Sequence, residues 1–415
     1  MKTQKKVGIV VVLLALILFT AGAFARRAQD VATPSPEPLV QQDISVASVP
    51  PANVSMIFVE NSDGTDGGPA RMFQSMRNHG INLHQSAASP SGLIASQDVV
   101  ILKINAQWDQ RGGTNTDLVR SVIREILNHP DGFAGEIIIA DNGQAQFGSA
   151  PGGGGSLDFA RNNAVDQSQS NLRVIRYFQN MGYRVTGVLW DTFTRIRVQE
   201  FSAGDMNDGF VVEDVVRNTN ITVSYPKFTT EFGTHVSFRY GIWNPATRTY
   251  NSDILKVINM PVLKSHRGFQ VTAAVKNWMG VPSDMLTRQL HGGRGRAHNS
   301  VGTGGMGTLL AYTRMPVLNI MDMIWVAPED GPRSLFTTAV QVNKIAASKD
   351  PVAIDHWASR NVLMPVAPAR IRASMNPDGT QPGTFGHLLR LSMNELHRAG
   401  IWATMNEAEM RVIGP

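Results

Sequence analysis

Cysteine is absent from the 415 residues. That absence excludes structural disulfides, a cysteine nucleophile, thiolate-bound zinc, a lipidated cysteine anchor and a cysteine-ligated iron–sulfur cluster. Charge is scarce as well, at 17% of residues, and no run of Lys and Arg is long enough to track a phosphate backbone. The formal net charge of +5 includes Lys2, Lys5 and Lys6, which sit in an N-terminal stretch without acidic residues. The remainder is close to neutral, so nucleic acid is not expected as a partner. What is present is an ordinary apolar fraction, 42%, enough for a packed core and too much for wholesale disorder. The length allows two modest domains or one large one with insertions.

The basic Lys2–Lys6 stretch is followed by an unbroken apolar run from Val7 to Phe19. Ala23 and Ala25 then stand in the small-x-small spacing of a cleavage site, ahead of Arg26 and Arg27. This is the layout of a secretory signal over residues 1–25, or of a signal anchor if the segment stays uncleaved. Either way the body is expected to be extracytoplasmic, with membrane contact only through an uncleaved segment. Residues 26–52 carry Pro34, Pro36, Pro38, Pro50 and Pro51 and read as an extended tether.

Short runs rich in Val and Ile recur from there on: Val54–Val59, Val99–Ile104, Glu136–Ala140, Arg184–Trp190, Val257–Leu263, Val317–Val326 and Lys344–Ala347. Runs that do not alternate belong to strands buried on both faces. Helical patterns lie between them, starting at Thr116-Asp117, at Asn171 and at Asp350-Pro351. The expected fold is therefore α/β, a mainly parallel sheet with helices on both faces. Residues 192–250 break the pattern. There Phe193–Val198, Ile221–Tyr225 and His235–Tyr240 alternate apolar and polar residues, as an antiparallel β insertion would. It divides the core into 53–191 and 251–415. The Gly152–Gly155 run reads as a flexible loop, without the strand-and-helix context of a dinucleotide fingerprint.

The chemistry is expected where strands end, because open parallel sheets bind ligands beyond their carboxyl ends. Val99–Leu102 runs into Lys103-Ile104-Asn105, Glu136–Ala140 into Asp141, and Ile258–Leu263 into Lys264-Ser265-His266, while Asp322 interrupts an apolar run. An ammonium behind four apolar residues needs a carboxylate or an anionic ligand, and desolvation makes it a base or nucleophile. Strand-end Asp and Asn also cap following helices, so those positions keep a second reading. Lys276-Asn277-Trp278-Met279-Gly280 adds a third lysine. The His291–His298 loop adds Arg294 and Arg296 with free backbone N–H groups suited to phosphate or carboxylate.

Taken in order, these segments resemble the family called domain of unknown function 362. The resemblance is carried by Lys103-Ile104-Asn105, Thr114-Asn115-Thr116, Asp141, Met260–His266, Lys276–Gly280 and Ser348–Asp355, across residues 95–360 outside the insertion. It implies an α/β fold and no established activity. Many members add a cysteine-rich cluster segment, which this chain lacks. Asp330-Gly331-Pro332 stands where the family has an acidic Gly-Pro turn.

Three functional readings follow. In the first, an enzyme acts on a small carboxylate or phosphate. Lys103, Lys264 and Lys276 bind or activate the anionic group, His266 acts as acid/base, Asn105, Asn277, Arg294 and Arg296 bind substrate, and Asp141, Asp322 and Asp355 orient His266 or hold a divalent metal. In the second, the same basic pocket captures an anion or metal without turnover. The third is a structural envelope protein.

Overall fold

Phe58 and Val59 are almost wholly buried in the first strand that the structure, a computed structural model, describes. The described residues are 54–143, 155–159, 165–287, 297–329 and 337–415. The export segment, the tether, Gly152–Gly154, Arg294, Arg296 and Asp330-Gly331-Pro332 lie outside them.

The first half of the chain alternates strand and helix: β1 (Ser55–Asn61), α1 (Gly67–Asn78), β2 (Val99–Lys103), α2 (Thr116–Leu127), β3 (Glu136–Asp141), α3 (Asn171–Asn180) and β4 (Val185–Leu189). Six strands then follow without an α-helix: β5 (Arg197–Val198), β6 (Gly209–Val216), β7 (Thr222–Thr229), β8 (His235–Ser237), β9 (Gly241–Asn244) and β10 (Thr249–Asn251). The second half resumes with β11 (Leu255–Asn259), β12 (Val262–His266), β13 (Gln270–Thr272), α4 (Ala274–Asn277), α5 (Gly305–Tyr312), β14 (Leu318–Ala327), β15 (Val340–Ser348) and α6 (Pro351–Ala358). The C-terminal part is α7 (Met364–Val366), α8 (Ala369–Met375), α9 (Phe385–Arg398) and β16 (Met410–Ile413).

The main sheet runs β16-β1-β15-β14-β11-β2-β3-β4, with β12 and β13 branching off β14. Neighbours from β14 through β4 are parallel, whereas β15 lies antiparallel between β1 and β14. The fold is thus α/β around a mainly parallel sheet, as the apolar runs require. β2 shows why: Val99 and Ile101 join one apolar cluster, while Val100 and Leu102 join the other. The face of Val100 is covered by α1, α2 and α3 through residues such as Met76, Val122 and Phe178. The face of Val99 is covered by α5, α6 and α9, and also by the second sheet through Phe210, Tyr225 and Phe238.

Local signals explain the boundaries. Asn115 caps α2 by accepting from the Asp117 and Leu118 N–H groups. Asp350 caps α6 in the same way ahead of Pro351. Gly182, at φ +89°, ends the turn after α3 where a side chain would be strained.

Two expectations change. Val257–Leu263 is not one strand. The ladder breaks at Met260-Pro261, where proline supplies no ladder donor; β12 leaves β2 and continues along β14 at the same offset, Ile258 facing Leu318 and Val262 facing Asp322, and the register shifts only between Val262 and Lys264. Phe193–Val198 is not an alternating strand either: a 3₁₀ turn occupies Trp190–Phe193, and only Arg197–Val198 pairs, in parallel with β6. The remaining pairs of the second sheet are antiparallel.

Candidate functional site

β2 and β3 end side by side, which brings Lys103 and Asp141 together. The Lys103 ammonium has no solvent exposure, lies 2.7 Å from Asp141 Oδ1 and donates to the Ile104 carbonyl at 2.7 Å. Asp141 Oδ2 accepts from the Ala106 N–H at 2.7 Å. Burial raises the Asp141 pKa and lowers that of Lys103, while their mutual attraction opposes both shifts. Gly280 packs directly on this pair: a Cβ there would stand 2.2 Å from Asp141 Oδ1 and 2.6 Å from Lys103 Nζ. The close approach explains why the Lys276–Gly280 motif ends in glycine.

Lys103 also begins a polar row crossing the sheet at one level, since Lys103 pairs with Asn259, Asn259 with Asn319 and Asn319 with Ser348. The Asn259 amide donates to Asn319 Oδ1 at 2.9 Å and to the Ala274 carbonyl at 3.0 Å. Asn277 donates to Asn259 Oδ1 at 2.8 Å and accepts from Asn105 at 3.4 Å. This leaves Asn105 Oδ1 buried and without a hydrogen bond among the described residues. Asn259 and Asn319 escaped the sequence reading. Their only signal is an amide inside a run that is otherwise apolar, where it must find partners.

Past the Met260-Pro261 break, β12 carries Lys264 and His266 two residues apart on one face. The Lys264 ammonium is buried and donates to the Gly112 carbonyl in the turn after β2. Lys276 stands on α4, nine-tenths buried, its ammonium 4.8 Å from the centre of the Phe269 ring. Among the described residues it makes no salt bridge. Burial lowers the Lys264 pKa to about 7, helped by the charge of Lys276, with Asp141 and Asp322 opposing. Burial likewise lowers Lys276 to about 8; Asp284 and Asp141 oppose the shift and Lys103 adds to it. His266 is driven well below its usual range by burial, then by Lys276 and Lys264. Its Nδ1 accepts from the Gly268 and Phe269 N–H groups at 3.2 Å, so the neutral ring carries its proton on Nε2. His266 is therefore a hydrogen-bond donor rather than a base.

Beside it, the Phe269 ring lies between His266 (4.8 Å) and His298 (6.0 Å). His298 Nδ1 is 2.9 Å from Asp284 Oδ1, which also accepts from the His298 N–H. This buried carboxylate orients a second imidazole, which the sequence presents only as part of a basic loop.

The structure thus gathers Lys103, Asn105, Asp141, Lys264, His266, Lys276 and Asn277 at the carboxyl end of the parallel strands. It places two aspartates differently. Asp322 accepts from the Asn115 N–H at 2.8 Å and the Ile324 N–H at 3.0 Å, tying β14 to the start of α2. Asp355 accepts from the Ala274 and Val275 N–H groups at 2.6 and 2.9 Å, and so caps α4 from α6. Three of these four donors, Asn115, Ala274 and Val275, stand at helix starts, which leave such N–H groups unmet. Among the described residues no group of three or more His, Asp or Glu could hold a metal ion. Asp141, Asp322 and Asp355 form no such group.

Residues 246–360 match the family Domain of unknown function (DUF362). The DUF362 match takes in Lys264, His266, Lys276, Asn277, Asp322 and Asp355. It begins after Lys103, Asn105 and Asp141, so the family-like part reaches less far toward the N-terminus than the sequence resemblance extends. No curated protein and no solved structure matches the chain.

Proposed function

We propose that this DUF362-like protein is an extracytoplasmic enzyme whose substrate is a small carboxylate or phosphate held by Lys276 and Lys264. The observation that carries this reading is the Lys276 ammonium. It is nine-tenths buried beside a second buried lysine, stands 4.8 Å from the centre of the Phe269 ring, and makes no salt bridge among the described residues, where Asp284 and Asp141 act on it only from farther off. Lys103 meets its anion at salt-bridge distance, at Asp141, and among the described residues Lys276 has no such partner. A bound anion would supply the missing charge, and Asn105 Oδ1 offers an acceptor for a hydroxyl of the same ligand.

The chain's own groups supply a donor and a base. His266 Nε2–H donates to the oxygen of the ligand, and Lys264, held near neutrality by burial, exchanges a proton at physiological pH. A non-catalytic binding protein is the second reading, favoured by the 1% exposure of Lys264, which shields the amine from a reacting carbon. The near-neutral body and the N-terminal pattern support a location outside the cytoplasm and a partner that is not nucleic acid. A mature N-terminus near Arg26 is the readout for that location.

Calorimetry with inorganic phosphate and a panel of small carboxylates tests the site. Lys276→Ala is expected to abolish binding while the melting temperature in buffer stays the same or rises. Unchanged binding in that variant would remove the proposal. Ligands that bind and return unaltered after incubation would select the second reading.

A further inference from the structure

A second set of polar groups lies apart from the lysines. The turn at Gln110–Gly112 after β2 carries Arg111, whose guanidinium sits 3.7 Å from the centre of the Trp325 ring. The indole covers one face of the guanidinium and fixes its plane. Its Nη1 is buried and has no hydrogen-bond acceptor among the described residues. Asp322 is the carboxylate that opposes the effect of burial on Arg111, yet its two oxygens accept from the Asn115 and Ile324 N–H groups.

Arg111 and Trp325 line a cavity of about 230 Å³, together with Asp63, Val165, Ile324 and Gln341 among others. Asp63 is exposed and held in its ionised form by the Thr65 N–H and hydroxyl, at 3.0 and 2.6 Å. No ion pair joins Asp63 and Arg111 among the described residues. The lining therefore presents a guanidinium and an exposed carboxylate that are not paired with each other, alongside the apolar Val165 and Ile324.

We propose that this cavity binds the zwitterionic head of a small free α-amino acid. The carboxylate takes the guanidinium fork of Arg111, the ammonium faces Asp63, and a short side chain lies against Val165 and Ile324. A simple carboxylate would satisfy Arg111 and leave Asp63 unused; a zwitterion uses both.

Calorimetry on the full chain at pH 7, with L-alanine, L-serine, acetate and ethylamine, tests the assignment. L-Alanine or L-serine is expected to bind at least tenfold more tightly than acetate or ethylamine. Arg111→Ala is expected to abolish that binding. Asp63→Asn, an exposed and conservative change, is expected to weaken L-alanine at least tenfold and leave acetate unchanged. Arg111→Lys, which keeps the charge without the fork, is expected to bind at least tenfold more weakly at a near wild-type melting temperature. Equal affinity for alanine and acetate, no amino-acid binding at all, or binding that survives Arg111→Ala would overturn the proposal.

Discussion

Three lysines that look alike in sequence, each behind an apolar segment, meet three different fates. Lys103 is paired with Asp141 and braced by Gly280, Lys264 is satisfied by the Gly112 carbonyl, and Lys276 rests on Phe269. The last two consequences appear in the pH dependence of stability. In the unfolded chain both Lys264 and Lys276 keep their protons up to about pH 10.5. In the folded protein they release them near 7 and 8. Between those limits the unfolded state binds more protons, so stability must rise with pH, by at most about 1.4 kcal/mol per unit for each group. Below about pH 7 both states are protonated and the burial penalty stands in full. Melting curves of the ligand-free protein should therefore climb between pH 7 and 9.5. Lys276→Met should raise the pH 7 value and flatten the climb, and a wild-type profile that falls over this range would contradict the assignment. Anion affinity should run the opposite way, weakening as the two ammonium groups lose their protons.

Among the elements, α4 shows how a short segment is held in place by a distant one. Four residues are too few to form a stable helix alone, and its N-cap, Ala273, has no side-chain acceptor. Asp355 on α6 supplies that acceptor, with one oxygen for each of two N–H groups. Asp355→Asn would turn an NH₂ toward one of those donors. An expected loss of about 1–3 kcal/mol follows for the unmatched buried group, measurable by urea denaturation. If Asp355 positions Lys276, phosphate affinity should fall at least tenfold in the same variant. A destabilised protein with unchanged affinity would restrict Asp355 to a structural part. The strand-end Asp and Asn were legible as helix caps or site groups. Which helix a carboxylate caps was not, because Asp355 and Ala274 are 81 positions apart and meet only through packing.

The largest scale is the division of labour between the two sheets. Residues 192–250 form no part of the main sheet, yet their inner face is continuous with its apolar core. Phe238 packs edge-on against Trp278 at 5.8 Å and against Trp190 at 5.5 Å, and Ser283 donates to the Thr194 carbonyl at 2.6 Å. Trp278 lies in the same motif as Lys276, so the second sheet roofs the segment that carries the candidate site. Replacing residues 192–250 by a short Gly-Ser linker is expected to uncover Trp278 and one face of β2. The product should lose near-ultraviolet circular dichroism and bind hydrophobic dyes. A deletion variant that kept the native signal would show the second sheet to be dispensable.

The fold class, the parallel character of the core and the carboxyl-end position of the lysines follow from the sequence alone, because burial on both faces demands unbroken runs of Val and Ile. The local caps at Asn115 and Asp350 are equally readable, since each acts within three residues of itself. Tertiary structure alone decided the strand break at Met260-Pro261, the polar row from Lys103 to Ser348 and the Asp284–His298 pair. It also decided which carboxylates face the site and which are consumed by helix starts. A buried polar group takes whichever partner the packing brings within about 3 Å. Its distance along the chain, 172 positions between Asn105 and Asn277, carries no information about that partner.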